Sequence, residues 1–256
     1  MNTNDITVLI QGPINKNSLD NIENYINFGR VLVKYWDDDD NESDLLKHPL
    51  ISKISIQKEQ RNIEPFMGTF RWQVDGIYFA LKEIKTKYTI RTRSDESFSD
   101  LSPLINKFKK KPKRLVCGSV FWRNCTQHMN QKHRHVGDHI FMGETKTLKK
   151  TYQLIKEMQD NNEAPRIWCP ADTRTGNPES SLYYNYLKVF KEENPNKAIT
   201  QTLEVFDIIN IEKLGEYKIC RAQTKDLWTN QNPMPDDLKT SLSLLEETHQ
   251  LEGKEI

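Results

Sequence analysis

The sequence contains few of the residues and patterns that mark several classes of protein, and each shortage excludes one class. Its 256 residues include 10 Gly and 11 Pro, too few for a fibrous or low-complexity chain. The four cysteines, Cys117, Cys125, Cys169 and Cys220, form no CxxC pair, which predicts reduced thiols and no structural disulfide. No apolar run approaches the roughly 18 residues that a membrane-spanning helix needs, and the N-terminus carries no targeting pattern. We therefore expect a cytoplasmic protein that touches a membrane at most peripherally, at its inner face.

Neither sign of charge is in clear excess. The chain has 37 Lys and Arg against 36 Asp and Glu, a formal net charge of +1. This balance argues against a general nucleic-acid binder, because such proteins carry a clear basic excess. One basic run, from Lys107 to Arg114, follows a predicted helix. It indicates a solvated helix end, with contact to anionic lipid or a charged glycan as the alternative.

The sequence does contain an alternation of short apolar segments and helical patterns. Strands are predicted at 6–10, 31–36, 53–58, 88–92, 114–122, 139–143 and 203–210. Helices are predicted from Ser18, over 69–87, near 101–110, from Thr145 or Thr147, and from Pro178 after an Asn177 N-cap. The helix over 69–87 has an apolar face formed by Phe70, Val74, Ile77, Leu81 and Ile84. This order predicts an α/β fold with a mostly parallel sheet flanked by helices, as one domain over 1–230 with a polar tail over 231–256.

The strongest candidate site is the segment RTRSDE at 91–96, which directly follows a predicted strand. Ligands of open α/β sheets gather at the carboxyl ends of the strands. The adjacent carboxylates of Asp95 and Glu96 can bind a divalent cation, and the arginines can contact phosphate oxygens. The alternative is a surface ion-pair cluster, but the position at a strand end favours a functional site.

Several short motifs, in the same order, resemble the WavE family of lipopolysaccharide-synthesis proteins. They are QGPI at 11–14, Trp36, the stretch from Asn62 to Glu96 with its Gln73 and its RSDE ending, GDHIFMG at 137–143, and Pro178-Glu179 before an aromatic-rich helix. The similarity spans roughly residues 6–190. It implies a glycosyltransferase-like protein of GT-A architecture, with a Rossmann-type sheet that binds a nucleotide-sugar, in surface polysaccharide or lipopolysaccharide synthesis.

The resemblance also implies which residues hold the nucleotide-sugar donor. They would be Gln11, Gly12, Pro13, Trp36, Asp37, Asp38, Arg71, Gln73, Arg91, Arg93, Ser94 and Asp95. The first three would lie in the first β-α turn beside the nucleotide. Trp36 with Asp37 or Asp38 would lie near the base, and Gln73 near the sugar or the diphosphate.

The metal motif departs from the GT-A pattern. Asp95 stands where such enzymes place the last carboxylate of an Asp-x-Asp triplet, but the first position is Arg93. Either Asp95 and Glu96 hold Mn²⁺ or Mg²⁺ between them, which is the interpretation we favour, or Arg93 supplies the positive charge to the departing diphosphate.

A sugar transfer that inverts the anomeric centre needs a carboxylate that removes the proton of the acceptor hydroxyl. Asp138 and Glu179 are the two candidates. The alternative interpretation makes Glu179 a helix N-terminal carboxylate and Asp138 a turn residue.

Four of the six histidines fall within 128–139, at His128, His133, His135 and His139. Their density raises the possibility of a zinc site, since imidazole is a common metal ligand, but no cysteine pair accompanies them. We prefer a cationic loop whose His133, His135 and His139 contact phosphate or the acceptor. A solvated loop is the alternative.

Together these features predict a glycosyltransferase that uses a nucleotide-sugar donor and a glycan or lipid-linked acceptor, with Mn²⁺ or Mg²⁺ as cofactor. A second hypothesis is a non-catalytic module that binds a nucleotide or a carbohydrate, which the missing first aspartate of the metal motif supports. A third is a metal-dependent phosphodiesterase that uses the histidine loop and Asp95. The sequence does not specify the donor base, the sugar or the acceptor.

Overall fold

The computed structural model describes residues 1–60, 68–120, 136–161, 178–199, 202–221 and 226–233. The strands are β1 (Ile6–Gln11), β2 (Arg30–Trp36), β3 (Ser55–Glu59), β4 (Tyr88–Arg93), β5 (Glu96–Phe98), β6 (Leu115–Gly118), β7 (Ile140–Glu144), β8 (Phe206–Ile209), β9 (Tyr217–Arg221) and β10 (Asp226–Thr229). The helices are α1 (Lys16–Tyr25), α2 (Glu42–Leu46), α3 (Gly68–Glu83), α4 (Ser102–Lys110), α5 (Thr145–Asp160) and α6 (Pro178–Glu193).

Seven strands form the main sheet in the order β3-β2-β1-β4-β7-β6-β8. Strand β7 pairs antiparallel with both of its neighbours, and the other pairings in the sheet are parallel. The prediction of an α/β fold with a mostly parallel, Rossmann-type sheet is confirmed. Because β7 runs against the rest, the residues that precede it lie at the carboxyl edge of the parallel strands.

The sheet is covered on both faces, which is why its central strands β1, β2 and β4 are almost continuously buried. One core lies between the sheet and helices α3, α5 and α6, and includes Leu9, Phe141 and Tyr186. The other lies on the opposite face, with α1, α4 and Phe98 of β5. The predicted apolar face of α3 is confirmed at four positions, since Val74, Ile77, Leu81 and Ile84 are all buried. The side chain of Phe70 lies outside the description.

A second, three-stranded sheet has the order β10-β9-β5, and the sequence did not predict it. Strand β5 contains three residues and pairs antiparallel with β9, more than 100 positions later in the chain. Gly215, at φ 78°, turns the chain into β9, and a side chain there would meet Ser99. Strand β5 packs against α1 and follows β4 after a two-residue turn.

Several predicted boundaries were wrong. Helix α1 begins at Lys16 rather than Ser18, because Asn15 is the N-cap and exchanges hydrogen bonds with Ser18. The predicted strand 114–122 ends at Gly118, and the predicted strand 203–210 begins at Phe206, after a short 3₁₀ turn. Helix α5 begins at Thr145 without a side-chain cap. Asn177 and most of the predicted tail lie outside the described residues, so the proposed boundary at 230 stays a prediction.

Within the described ranges, no helix is both long and apolar enough to cross a membrane. The buried thiol of Cys117 is free. The side chains of the other three cysteines lie outside the description.

Replacing Ile90 by Ala is expected to lower the free energy of unfolding by about 3 kcal/mol, because it leaves a cavity in a central strand where the side chain is 0% exposed. The matched control is Ile56→Ala in the edge strand β3, where the side chain is 36% exposed and the loss should stay below about 1 kcal/mol. Urea unfolding followed by circular dichroism measures both. Equal losses would contradict the central placement of β4.

Candidate functional site

The candidate site lies where β1, β4 and β7 meet at the carboxyl edge of the sheet. Gln11 ends β1, Arg93 ends β4, and Asp138 and His139 directly precede the antiparallel β7. In the register of these strands, Gln11 is opposite Arg93 and Thr92 is opposite Ile140. Three segments that are distant in sequence therefore deliver polar side chains to one place.

Arg91 is the centre of this cluster. Its side chain is 2% exposed. The guanidinium donates from Nε and Nη2 to Gln11 Oε1, at 3.1 and 2.9 Å. Nη1 donates to the backbone carbonyl of Asp138 and lies 3.8 Å from Asp138 Oδ2. A buried guanidinium needs such partners, so Arg91 fixes both Gln11 and Asp138.

Helix α3 is tied into the same network. Gln11 Nε2 donates to the backbone carbonyl of Gln73 at 2.8 Å, and Gln73 Nε2 donates to Asp138 Oδ2. The helix approaches closely because position 76 is glycine. A Cβ there would come within 2.6 Å of Gln11 Nε2. Gln73 therefore reaches the predicted site, where its partner is a carboxylate of the protein.

Arg93 and Asp95 form a bidentate pair in the turn after β4. Arg93 Nε donates to Asp95 Oδ1 at 2.8 Å, and Nη2 donates to Oδ2 at 2.7 Å. Arg93 Nε also lies 3.3 Å from Glu96 Oε1. Burial by itself would lower the pKa of Arg93, but the Asp95 and Glu96 carboxylates raise it. Burial likewise opposes ionisation of Asp95, and Arg93 outweighs it, so the pKa of Asp95 is lowered.

Glu96 and His139 form a buried pair beside Arg93. Glu96 Oε1 contacts His139 Nδ1, and the Glu96 side chain is 0% exposed. Within the described part of the chain, Glu96 Oε2 has no hydrogen-bond partner. Asn21 of α1 donates to the Glu96 backbone carbonyl at 2.5 Å. The sequence did not predict that this carboxylate is fully enclosed.

Asp138 and Glu179 have opposite protonation preferences. Burial would raise the pKa of Asp138, but Arg91, His139 and Arg93 lower it, together with the hydrogen bond from Gln73. At Glu179, in the first turn of α6, burial and then the charge of Asp138 raise the pKa to about 7. The two predicted bases are therefore distinguishable, because Asp138 is held ionised and Glu179 exchanges a proton near neutral pH.

Asp95 and Glu96 are the residues expected to hold a divalent cation. Arg93 binds both oxygens of Asp95, and His139 and Arg93 contact Glu96 Oε1, so the guanidinium already supplies a positive charge to both carboxylates. Across the described ranges, no group of three or more His, Cys, Asp or Glu side chains is placed to hold a metal ion. The side chains in this arrangement do not fit Mn²⁺ or Mg²⁺. Whether the protein requires a metal stays a prediction that chelation tests.

The turn after β1 lies against the turn after β4. Gly12 has φ 133°, in a region that side chains rarely adopt, and a Cβ there would overlap the Ser94 hydroxyl. The backbone N–H of Ser94 donates to the Gln11 carbonyl at 2.9 Å. Ser94 is buried, and its Oγ has no hydrogen-bond partner among the residues described. Pro13 is exposed at the mouth of this turn.

The part of the site that was predicted to lie near the nucleotide base is at the end of β2. Trp36 is buried there, and Asp37 and Asp38 are exposed in the following turn. The same strand carries Lys34, which was not among the predicted site residues; its buried Nζ lies 3.3 Å from Glu59 Oε2 and 5.1 Å from the centre of the Trp36 ring. A lysine within the apolar run VLVKYW was the available signal for this residue.

Arg71 points toward helix α5. It lies 3.8 Å from Asp75 and 3.7 Å from Asp160, at the interface between α3 and α5. Its predicted contact with the donor stays untested. His128, His133 and His135 lie outside the described residues, and of the histidine cluster only His139 is placed in the site.

Two solved structures are similar to this chain at low identity. One is 4-diphosphocytidyl-2C-methyl-D-erythritol synthase from Anaerococcus prevotii, with 9% identity, 82% of this chain and 90% of that chain covered, and a TM-score of 0.47. The other is HddC from Yersinia pseudotuberculosis, with 14% identity, 56% and 78% covered, and a TM-score of 0.36. At these values neither carries an argument about what this chain binds. Neither the family models nor the curated proteins gave a match, so the resemblance to the WavE family rests on the sequence motifs.

Replacing Glu179 by Gln is expected to stabilise the protein at pH 8 and to have little effect through titration at pH 4. The pKa of this carboxyl is raised from 4.5 to about 7 in the fold, so the native state holds a proton that the unfolded chain releases between those values. The contribution of Glu179 to the free energy of unfolding therefore falls as the pH rises through this window, and the variant avoids a loss on the order of 3 kcal/mol.

Urea unfolding at both pH values measures this effect. Glu192→Gln, which changes an exposed carboxylate on the same helix, is the matched control. A Glu179→Gln effect that is equal at pH 4 and pH 8 would contradict the raised pKa.

Proposed function

We propose that the protein is a glycosyltransferase that moves a sugar from a nucleotide-sugar donor to a glycan or lipid-linked acceptor, as the resemblance to the WavE family implies. One observation carries the proposal. At the carboxyl edge of a Rossmann-type sheet, the cationic Arg93 lies in the same charge cluster as Glu179, a carboxylate that exchanges its proton near pH 7. Group transfer from a diphosphate to a hydroxyl needs a cation for the leaving group and a base for the nucleophile.

The donor would lie across the ends of β1, β2 and β4. Its diphosphate would contact Arg93 and would accept a further hydrogen bond from the Ser94 hydroxyl. Its nucleotide base would lie toward Trp36 and the exposed aspartates that follow Trp36. Gly12 contributes to this placement through packing, because the absence of a side chain lets the turn after β1 lie directly against Ser94.

In the transfer step the acceptor oxygen forms a bond to the anomeric carbon of the donor sugar. The bond between that carbon and the diphosphate oxygen breaks, and its electron pair stays on the diphosphate beside Arg93. The proton of the acceptor hydroxyl passes to the Glu179 carboxylate. Asp138 is less suited as the base, because Arg91 and Gln73 hold it ionised with a lowered pKa. Its charge instead keeps the pKa of Glu179 high.

The proposed step does not pass through a divalent cation, because Asp95 and Glu96 are already paired with Arg93 and His139. The charge of Arg93 can neutralise the diphosphate without a metal. A glycosyltransferase that uses Arg93 keeps its activity in EDTA, whereas one that needs the metal loses it.

The direct test incubates the protein with UDP-, GDP-, CMP- and dTDP-sugars, with and without a mixture of glycan and lipid-linked acceptors, and follows release of the nucleotide. Acceptor-stimulated release from one donor is expected. Tight binding of a donor without release would favour the non-catalytic binding module. Release of pyrophosphate from a nucleoside triphosphate and a sugar phosphate would identify a nucleotidyltransferase instead.

Glu179→Gln is expected to lower kcat roughly 100- to 10,000-fold, because the acceptor proton loses its base. In the unaltered protein kcat/KM should rise with pH to a plateau, with a midpoint near the Glu179 pKa of about 7. Asp138→Asn removes the charge that raises this pKa, so the midpoint should move to lower pH. Glu192→Gln serves as the control. A midpoint that Asp138→Asn leaves unchanged would show that Glu179 is not the group that titrates.

A further inference from the structure

One edge of the Arg93 guanidinium, the fork formed by Nε and Nη2, is engaged by another residue of the same chain. Asp95 accepts from both Nε and Nη2, at 2.8 and 2.7 Å, in the geometry in which a guanidinium binds a phosphate. A diphosphate can therefore take this fork only by replacing the Asp95 carboxylate. In the Asp-x-Asp motif of GT-A enzymes the corresponding carboxylate binds a metal cation, so it does not compete with the diphosphate for an arginine.

We infer that Asp95 is an internal substitute for the donor's diphosphate, which occupies the Arg93 fork in the ligand-free protein and is displaced when a diphosphate binds. The inference rests on the proposed function and deepens it, because it identifies Arg93 as a diphosphate site that works without a metal.

The charges around Arg93 favour the departure of one carboxylate from its arginine when a diphosphate binds. The carboxylates of Asp95, Glu96, Asp138 and Glu179 lie around Arg91, Arg93 and His139. Asp95, Glu96 and Asp138 are each paired with a basic side chain of the cluster, Arg93, His139 and Arg91 respectively. An added diphosphate would then be repelled unless a carboxylate moves away from its arginine.

Asp95 is the carboxylate that can move. Its side chain is 26% exposed, whereas those of Glu96 and Asp138 are 0% and 4% exposed. Ionised Glu96 and Asp138 would have to cross the protein interior, but Asp95 can rotate into water and stay solvated. The turn need not shift, because the Ser94 N–H remains bonded to Gln11 and Asn17 Nδ2 lies 3.4 Å from the Asp95 carbonyl.

A second polar group independently points to a ligand at this place. Ser94 adjoins Arg93, is 2% exposed, and leaves its Oγ without a hydrogen-bond partner among the described residues. Buried hydroxyls normally have a partner, so an unpaired one at the residue that follows Arg93 supports the arrival of an acceptor from outside. A phosphate oxygen is an acceptor of the required kind.

The test measures the Kd of inorganic pyrophosphate and of UDP by calorimetry in EDTA. Asp95→Asn should bind both about tenfold more tightly than the unaltered protein, since the competing charge is removed while the size of the side chain is kept. Arg93→Gln should bind weakly, and the double variant Arg93→Gln with Asp95→Asn should show no gain. Asp44→Asn, an exposed aspartate in α2, controls for the change in net charge.

Unchanged or weaker binding of pyrophosphate by Asp95→Asn in EDTA would overturn the inference. So would Mn²⁺-dependent binding that Asp95→Asn abolishes, because Asp95 would then be a metal ligand. Asp95→Ser provides a second variant if the first fails to fold, as judged by circular dichroism. Pyrophosphate carries no sugar, so tighter binding with no turnover of any nucleotide-sugar would count against the proposed function alone. Turnover without tighter binding would count against this inference alone.

Discussion

The buried guanidinium of Arg91 is the interaction on which the rest of the site depends. It joins Gln11 at the end of β1 to the segment before β7, and through Gln11 and Asp138 it also holds helix α3. Leaving such a buried charge without its partners costs about 3–5 kcal/mol, so these segments are forced to meet. The antiparallel direction of β7 makes the meeting possible, because it brings the start of that strand to the ends of its parallel neighbours.

Around Arg91 the site distributes charge so that its carboxylates have different roles. Asp138 is fixed by Arg91, Asp95 by Arg93, and Glu96 lies against His139. Glu179 lies in the first turn of α6, where its pKa is raised by burial and by the charge of Asp138. A carboxyl group with a raised pKa and an arginine paired with a partly exposed carboxylate thus arise from one set of neighbours. The carboxylates of the site thus differ in burial and in their ion-pair partners, although their chemistry is the same.

The sequence predicted the parts of this arrangement that depend on local pattern. The alternation of strands and helices, the apolar face at Val74, Ile77 and Leu81, and the position of Asp95 just after a strand were all readable from spacing. Pairings between distant segments were not, and β5 with β9 is the clearest case, since three residues carry no periodic signal. Nor could spacing reveal that Arg93 pairs with Asp95, because that depends on side-chain conformation and burial. The residue types of Asp138 and Glu179 could not show that the pKa of one is lowered and that of the other is raised.

The most direct measurement is thermal unfolding of the full chain with UDP, GDP, CMP and dTDP, each in Mn²⁺, Mg²⁺ or EDTA. A ligand that binds the native state raises the midpoint by an amount that grows with the logarithm of its affinity. A rise for at least one nucleotide that persists in EDTA is the result expected if Arg93 holds the diphosphate. A rise that requires the metal would contradict the role of Arg93, and no rise with any nucleotide would contradict the assignment of a donor site to this edge of the sheet.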